Sequence, residues 1–325
     1  MGSEEMRRRF RVSFLALFAL SLALLAGCQA PAGAPATSLK VGLLPIVDAL
    51  PAHVAAAKGL FAKHNVKVEL VTFVSAVERD SALQAKQIDG QLNDLVATLL
   101  LAKGEEKVKV VRQSYQGSPA KPMMYVFASP QSQIRTPADL KGVEIGVSTN
   151  SVIEYTTEAM LRAAGLRPDE IKKVEVSKIP VRLEMLLKGQ LAAATLPDPF
   201  AALAQAQGAR LIVDDGQTGV GQSVLTFRAE TLKSNASAVR SFLAAYEEAV
   251  ALINASPDEY KPLLVEQAKV PEQVKDSFTM PAYPPARVPT EAEVNAVSEW
   301  MVAKGLLSAP AKYGELVTSE YLPAR

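Results

Sequence analysis

The sequence predicts an α/β protein with two lobes, each built on a mainly parallel sheet flanked by helices. Three observations support this prediction. The chain has 325 residues, enough for about two domains, and 49% of them are apolar, enough to form a large core. Short apolar segments alternate with amphipathic segments from residue 39 onward, which is typical of parallel sheets covered by helices. This alternating series occurs twice along the chain.

The first series covers residues 39–113. Its predicted strands are 39–44, 66–73, 88–92 and 108–113. Its predicted helices are 51–64, 75–87 and 94–103. The second series has predicted strands at 143–147, 173–177, 191–195 and 209–213, with helices at 151–164, 180–188 and 198–207.

The two series share residues at nearly constant spacing. The matching pairs are Gly59-Leu60 with Gly165-Leu166, Val68-Glu69 with Val174-Glu175, Asp94 with Asp198, and Gly104 with Gly208. Their common order along the chain predicts two lobes of similar structure.

The rest of the chain is predicted to return to the first lobe. A strand-like segment at 223–227 is followed by helices at 236–254, 257–268 and 290–304. Crossings near 125–128 and 220–226 would form a hinge with a cleft between the lobes. We therefore assign 39–125 and 222–325 to lobe 1 and 126–221 to lobe 2.

The N-terminal segment has the pattern of an export signal. A cationic stretch at 6–11 precedes an apolar run at 12–26, which is too short to span a membrane comfortably. Ala26-Gly27-Cys28 resembles the lipobox of bacterial lipoproteins. The resemblance implies a signal peptide at 1–27, a palmitate-type lipid anchor on Cys28, and a flexible tether at 28–38 that holds an exported protein at the membrane. An ordinary secretory signal is the alternative.

Charge and composition exclude several classes of function. There are 35 Lys and Arg residues against 34 Asp and Glu, whereas nucleic-acid-binding proteins usually carry a basic surplus. With two histidines and one cysteine, an intramolecular disulfide is impossible and a zinc site or histidine-dependent catalytic triad has few candidates. We predict no cofactor, no metal and no catalytic residue.

Candidate ligand-binding residues lie where predicted strands end and helices begin, since ligands of open α/β sheets bind there. In the first lobe they are Asp48, Leu50, Ser75, Arg79, Asn93 and Asp94. In the second lobe and the returning crossover they are Thr149, Asn150, Ser151, Asp198, Pro199 and Gln222.

Helix capping is the alternative role for several of these candidates. Ser75 with Glu78, and Ser151 with Glu154, fit the capping-box pattern. Asp94 and Asp198 are also favourable N-cap residues. Arg79 and Arg182 lie within the first two turns of their helices, where either could bind an anion, but a solvated or interlobe charge is the favoured role for each.

Four segments resemble a known family. They are KVGLLPIVDALPAHVAAAKGLFAKHNVKVELV at 40–71, LQAKQIDGQLNDL at 83–95, TPADLKGVEIGVS at 136–148 and LLKGQLAAATLPDPFA at 186–201. They are similar to solute-binding proteins of ABC importers, in the nitrate, sulfonate and taurine family that includes thiamine-precursor-binding proteins. The resemblance implies a type II periplasmic-binding-protein-like fold that captures a small solute and delivers it to a permease and ATPase complex.

The acidic candidates bear on the charge of that solute. Asn93-Asp94 stands where relatives often have Gly-Asp, and Asp48, Asp94 and Asp198 would repel a bare oxyanion. We therefore expect an amine-bearing or nitrogen-heterocyclic solute, such as a thiamine precursor. A sulfonate- or nitrate-type anion is the alternative.

Two further classes of function stay open. The resemblance includes enzymes on the same fold, the pyrimidine synthase of thiamine biosynthesis and enzymes of the menaquinone pathway. The first needs a site rich in histidine and cysteine, and the second are cytoplasmic, which disagrees with the export signal. A lipoprotein that scaffolds or senses without a small ligand is the other class. We predict a binding protein and not an enzyme.

Overall fold

The computed structural model describes residues 38–104 and 107–324, which form ten strands and twelve helices. The strands are β1 Ser38–Leu43, β2 Lys67–Thr72, β3 Gly90–Asp94, β4 Val108–Gln116, β5 Met124–Ala128, β6 Glu144–Val147, β7 Lys172–Glu175, β8 Ala193–Pro197, β9 Arg210–Asp214 and β10 Gln222–Arg228. The predicted signal peptide, the predicted lipid anchor on Cys28 and the tether up to residue 37 lie outside the described residues, and Ser38 belongs to β1 instead of the tether.

Helices connect these strands and cover the sheets. They are α1 Leu50–Ala57, α2 Leu60–Lys63, α3 Ala76–Gln84, α4 Leu95–Lys103, α5 Val152–Ala163, α6 Ile179–Leu187, α7 Phe200–Ala206, α8 Ala229–Ser234, α9 Ala236–Ala255, α10 Pro257–Gln267, α11 Glu291–Ala303 and α12 Tyr313–Leu316. The single helix predicted at 51–64 was wrong: Gly59, with a φ of 67°, separates α1 from α2. A positive φ is readily adopted by glycine and interrupts the helix there.

The two sheets have the same topology, as expected from the repeated series. The first has the strand order β2-β1-β3-β10-β4, and the second β7-β6-β8-β5-β9. In each sheet, one strand runs against the other four. These reversed strands are β10, antiparallel to β3 and β4, and β5, antiparallel to β8 and β9. Both reversed strands follow a crossing between sheets, so the fold is α/β with two lobes and mainly parallel sheets.

Helices begin where the sequence predicts when their capping residues are close neighbours in the chain. At the start of α11, the Thr290 backbone N–H donates to the Glu293 carboxylate at 2.6 Å, and the Glu293 N–H donates to the Thr290 hydroxyl at 3.2 Å. This capping box satisfies two backbone donors that a helix start leaves unpaired. The proline-rich segment 280–289 contains no helix or strand, as predicted.

Buried side chains from several helices hold the first sheet in place. Phe242 of α9 stacks on Phe61 of α2, with ring centroids 5.5 Å apart, and meets Phe227 of β10 edge-on at 5.6 Å. The returning helices therefore pack on the first sheet. Among the described residues, we find no helix with both the length and the apolar character needed to cross a bilayer.

Candidate functional site

A cavity of about 320 Å³ is lined by the carboxyl ends of strands in both sheets and by the starts of the helices that follow them. Most of its lining side chains are apolar, among them Ile46, Phe73, Ile153, Ile179 and Phe200. A concave, mainly apolar space with a few polar groups is the usual form of a small-molecule site. Six of the predicted residues line it: Asp48, Ser75, Arg79, Asn93, Asp94 and Ser151.

Asp48 is a buried carboxylate at the wall of the cavity. It lies in a short 3₁₀ turn at Val47–Ala49, immediately before α1, and only 2% of its surface is exposed. Within the described part of the chain its Oδ2 atom has no hydrogen-bond partner, although the Ser223 hydroxyl lies near enough to the carboxyl group to lower its pKa. Burial raises the pKa of Asp48 to about 6, because a charged carboxylate loses its hydration there. A buried acceptor without a partner gains stability when a ligand donates a hydrogen bond to it.

Asn93 and Asp94 end β3 and begin α4. Asp94 caps α4, since its Oδ1 atom accepts the Ala97 N–H at 2.9 Å, and burial raises the pKa of its carboxyl group to about 6. The Asn93 Oδ1 atom accepts the Thr226 hydroxyl at 2.7 Å, whereas its Nδ2 group has no partner. Asp94 is therefore both a cap and a lining residue, and Asn93 has a donor to offer.

Arg79 is buried, and the expectation of a solvated charge was wrong. Its Nη1 atom donates to the Leu92 carbonyl at 2.7 Å. Its Nε and Nη2 atoms donate to Asp80 Oδ1 at 3.0 and 2.8 Å. The positive charge of the guanidinium is thus balanced by Asp80 of the same lobe when no ligand is present.

The helix caps at the cavity are formed, though not always with the predicted partner. The Ser75 hydroxyl accepts the Glu78 N–H at 3.3 Å, as the capping-box pattern predicts. The Ser151 hydroxyl accepts the N–H of Ile153 at 3.2 Å, and the Glu154 carboxylate accepts that of Asn150 at 2.7 Å. Each serine can cap a helix and line the cavity at once.

The other six predicted residues do not line the cavity. Leu50 packs into the core, Gln222 accepts a hydrogen bond from Gln113 Nε2 at 2.9 Å, and Thr149 and Asn150 are exposed. Asp198 pairs with Lys121 Nζ at 2.6 Å, and Pro199 begins α7 beside it. Asp94 and Asp198 occupy equivalent positions in the two repeated series. Of the two, Asp94 lines the cavity, whereas the Asp198 side chain is directed at Lys121 in the first crossover.

Several lining residues were not among the candidates. Met123, Met124 and Ser223 come from the two crossovers, and Ser148 and Ser177 from strand ends of the second lobe. The strand ends had a signal, since Ser148 directly follows the strand predicted at 143–147 and Ser177 is the last residue of the strand predicted at 173–177. On the returning crossover Gln222 was the candidate, but its neighbour Ser223 lines the cavity instead, and the first crossover had no candidate at Met123 or Met124.

The described residues contain no group of histidine, aspartate and glutamate side chains that could hold a metal ion. The two histidines lie on α1 and just after α2. Burial lowers the pKa of His53 to about 4, and His64 Nε2 lies 2.9 Å from a carboxylate oxygen of Glu248. Neither lines the cavity, so the polar side chains described at the site are two aspartates, Asn93, serines, Thr72, Arg79 and Lys269.

Comparison with known proteins decides the family. Residues 47–260, more than half of the chain, match the family described as NMT1/THI5 like. The chain belongs to the NMT1/THI5-like family. The predicted resemblance to importer solute-binding proteins is confirmed at this level.

Individual relatives of this NMT1/THI5-like chain include binding proteins and an enzyme. An Escherichia coli (strain K12) protein named as an aliphatic sulfonates-binding protein is 27% identical over 237 residues, which are 72% of each chain. The alkanesulfonate-binding protein SsuA from Xanthomonas axonopodis pv. citri, bound to MOPS, has a TM-score of 0.73 at 21% identity, over 88% of this chain and 99% of that one. The desulfurization enzyme DSZB has a TM-score of 0.66 at 17% identity, over 88% and 97%. These similarities confirm the two-lobed α/β fold.

Proposed function

We propose that this chain is the solute-binding lipoprotein of an ABC importer. In this proposal residues 1–27 are a signal peptide, Cys28 carries the lipid anchor, and the body is held on the outer side of the cell membrane. Lobe 1 comprises 39–125 and 222–325, and lobe 2 comprises 126–221. The cavity between them captures a small organic solute and presents it to a membrane permease with its ATPase. Family membership, the fold and the cavity support this role.

The solute is an amine or a nitrogen heterocycle that carries an N–H donor, of which thiamine-precursor-like pyrimidines are one class. The observation that carries this choice is the unpartnered Oδ2 atom of Asp48 at the cavity wall. A donor from the solute would replace the water that this oxygen has lost, and a charged amine would also restore the favoured ionised state. Asn93 Nδ2 could donate to an acceptor atom on the same solute.

Capture requires no covalent step. The apolar side chains of both lobes enclose the carbon skeleton of the solute, and the polar groups select its orientation. Because both lobes contact the solute only when they are closed around it, the solute stabilises the closed arrangement. Of the residues that the structure describes, no cysteine or histidine lines the cavity, which supports a binding role over an enzymatic one.

A sulfonate- or nitrate-type anion is the second candidate. The names of the sulfonate-binding relatives favour it, and so do the starts of α3 and α5, because a helix N-terminus attracts negative charge. Asp48 and Asp94 oppose it in the first lobe, where Arg79 is already paired with Asp80.

Isothermal titration calorimetry on the full-length protein in detergent distinguishes the two candidates. The probes are benzylamine and 4-amino-2-methylpyrimidine on one side, and methanesulfonate and nitrate on the other. We expect the nitrogen compounds to bind, with at least a tenfold loss in Asp48→Asn, as a charge-assisted hydrogen bond contributes on the order of 1.5–3 kcal/mol. The matched control is Asp198→Asn, which makes the same change outside the cavity.

Binding of the anions alone would reject the nitrogen-donor proposal in favour of the second candidate. Equal losses in Asp48→Asn and Asp198→Asn would show that Asp48 does not recognise the solute. Mass spectrometry of recovered probes tests the enzymatic alternative, since a probe changed in mass would contradict a binding role.

A further inference from the structure

The helices α5 and α11 connect the two lobes by side-chain contacts, in addition to the two crossovers. α5 follows β6 of the second sheet, whereas α11 packs with α4 on the first sheet. Tyr155 of α5 is buried in an apolar cluster formed by residues of α4, α11 and two strands of the first sheet. Its ring meets the ring of Trp300 edge-on, with centroids 5.3 Å apart. The second lobe therefore inserts an aromatic side chain into the core of the first.

Polar contacts between the same two helices surround the aromatic pair. The Trp300 Nε1–H donates to Glu158 Oε2 at 2.8 Å. Lys304 Nζ donates to Glu154 Oε1 and lies 4.9 Å from the centroid of the Trp300 ring. Hydrogen bonds to ionised groups are stronger than those between neutral groups, so both contacts favour the arrangement in which the two helices meet. We call Glu154, Tyr155, Glu158, Trp300 and Lys304 the interlobe clasp.

Both sides of the interlobe clasp keep a partner when the two helices separate. Glu154 and Glu158 are each paired with Lys173 of β7, which belongs to the same lobe and moves with them. Lys304 stays on the face of the Trp300 ring, because both residues belong to α11. Separation therefore leaves no buried carboxylate without a counterion, a state that would be costly. The clasp can open and close without this penalty.

The interlobe clasp lies directly behind the wall of the cavity. On α5, Ile153 lines the cavity and Tyr155 follows two positions later in the clasp. On the first lobe, Asp94 lines the cavity and the next residue, Leu95, belongs to the apolar cluster around Tyr155. A helix is rigid over a single turn, so the cavity ends of α4 and α5 move together with the clasp. The clasp is therefore complete only when the two walls of the cavity are close together.

We propose that the interlobe clasp holds the two lobes together when no solute is bound. The crossovers permit the lobes to rotate, and the clasp shifts the equilibrium toward the closed arrangement before a solute arrives. A solute then meets a cavity that is already assembled, which raises its apparent affinity. The clasp residues are not among those that line the cavity, so this effect needs no contact with the solute. The proposal goes beyond the proposed function and is independent of the chemistry of the solute.

Spin labels at the outer edges of the two sheets measure whether the lobes are held together. In each sheet the crossover strands stand on one side and β2 or β7 at the opposite edge, so residues that follow β2 and β7 lie far from the crossovers. Val77 and Val181 follow these strands, and their exposed fractions of 67% and 43% leave space for a label. The full-length protein in detergent carries Val77→Cys and Val181→Cys in a Cys28→Ala background, because Cys28 is the single cysteine of the chain. Double electron–electron resonance measures the distance between the labels.

Without any solute, we expect one narrow distance distribution in this labelled protein. Adding Tyr155→Ala should increase the population at longer distances by about two- to tenfold, which is the range for the loss of one aromatic contact. Tyr155→Phe keeps the ring and should leave the distribution unchanged. The same distribution with and without Tyr155→Ala would overturn the proposal, and so would equal changes in Tyr155→Ala and Tyr155→Phe.

Lys304→Met tests the interlobe clasp without a cavity in the apolar cluster. It removes the ion pairs between Lys304 and the two glutamates of α5, so the population at longer distances should rise by about twofold. Lys312→Met is the matched control, because Lys312 pairs with Glu315 at 3.1 Å within the first lobe, and it should change nothing. Longer distances in both lysine variants, or in neither, would contradict the clasp. The labels are measured without solute, so a failure of the clasp leaves the proposed function intact, and the reverse also holds.

Discussion

The Oδ1 atom of Asp215 lies 2.7 Å from the backbone nitrogen of Met123 and accepts its hydrogen bond. The same oxygen accepts the Met124 N–H at 3.1 Å. Met124 begins β5, where the chain first crosses to the second sheet, and Asp215 follows β9, shortly before the chain returns. One buried carboxylate therefore ties the two crossovers together, directly beside the cavity that Met123 lines.

The first prediction concerns this link between the crossovers. Asp215→Ala leaves two buried N–H groups without their acceptor, which should lower the free energy of unfolding by about 2–4 kcal/mol. Asp214→Ala is the matched control, since among the described residues the half-buried Asp214 side chain accepts one hydrogen bond, from the Gly216 N–H at 3.0 Å. Urea denaturation measures both. Equal losses for the two variants would show that the link does not stabilise the fold.

The second prediction uses the raised pKa of Asp48. In the folded protein the Asp48 carboxyl group keeps its proton up to a pH of about 6, whereas in the unfolded chain it loses the proton near pH 4. The stability that protonated Asp48 contributes is therefore lost as pH rises between these two values. The free energy of unfolding of Asp48→Asn, taken relative to that of wild type, should therefore be about 2–3 kcal/mol higher at pH 7 than at pH 4.

Asp139→Asn is the comparison variant for Asp48→Asn, because the pKa of Asp139 is shifted in the opposite direction. Hydrogen bonds from the backbone N–H groups of Arg135 and Thr136 lower the pKa of Asp139, so this exposed carboxylate contributes stability that is lost as pH falls. The pH trend of Asp139→Asn relative to wild type should have the opposite sign. Guanidinium denaturation at pH 4, 5, 6 and 7 provides the data, and parallel trends for the two variants would refute this interpretation.

The third prediction concerns Glu154, a buried carboxylate of α5. Burial alone would raise its pKa, but hydrogen bonds from Lys304, Lys173 and the Asn150 N–H outweigh burial and lower it. Its contribution is present above the ordinary glutamate pKa and is lost as pH falls. Glu154→Gln should cost about 2–4 kcal/mol at pH 7, because Lys173 and Lys304 lose one of two carboxylate partners and keep only Glu158.

The control for Glu154 is Glu144→Gln, at an exposed position on β6. It should change the free energy of unfolding by less than about 0.5 kcal/mol. Thermal unfolding of both variants at pH 7 and pH 3.5 checks the size and the pH dependence. A loss for Glu154→Gln that is the same at both pH values would contradict an ionic origin.

The fourth prediction concerns Gly42 of β1 and Gly146 of β6, which lie close to the side chains of Arg79 and Arg182. A Cβ atom on Gly42 would lie 2.6 Å from Ile88 Cδ1, and one on Gly146 would lie 2.6 Å from Leu191 Cδ1. Gly42→Ala and Gly146→Ala should each destabilise the protein by about 1–3 kcal/mol through overpacking. Gly314→Ala is the control, because no atom lies within 4 Å of its added Cβ. A chemical denaturation series in which all three behave alike would argue against this packing.

The repeated series in the sequence predicted both the sheets and their common topology. Strands such as β1 and β6 are apolar and short, and the helices after them carry local signals, so neighbours in sequence determine them. Capping signals were equally local, as Thr290 with Glu293 shows. The break at Gly59 was missed, because a glycine within an otherwise helical pattern does not show whether the helix continues.

The sequence by itself determined the α/β class, the two similar lobes and the strand ends at which half of the candidate residues meet the cavity. Only the tertiary structure decided which of two equivalent aspartates lines that cavity, because Asp198 is drawn away by Lys121, 77 positions distant in the chain. It also decided that Arg79 and Arg182 are buried, with burial lowering the pKa of Arg182 to about 9, although both were expected to be solvated or interlobe charges. Burial and pairing arise from contacts between distant segments, and local sequence patterns do not encode them.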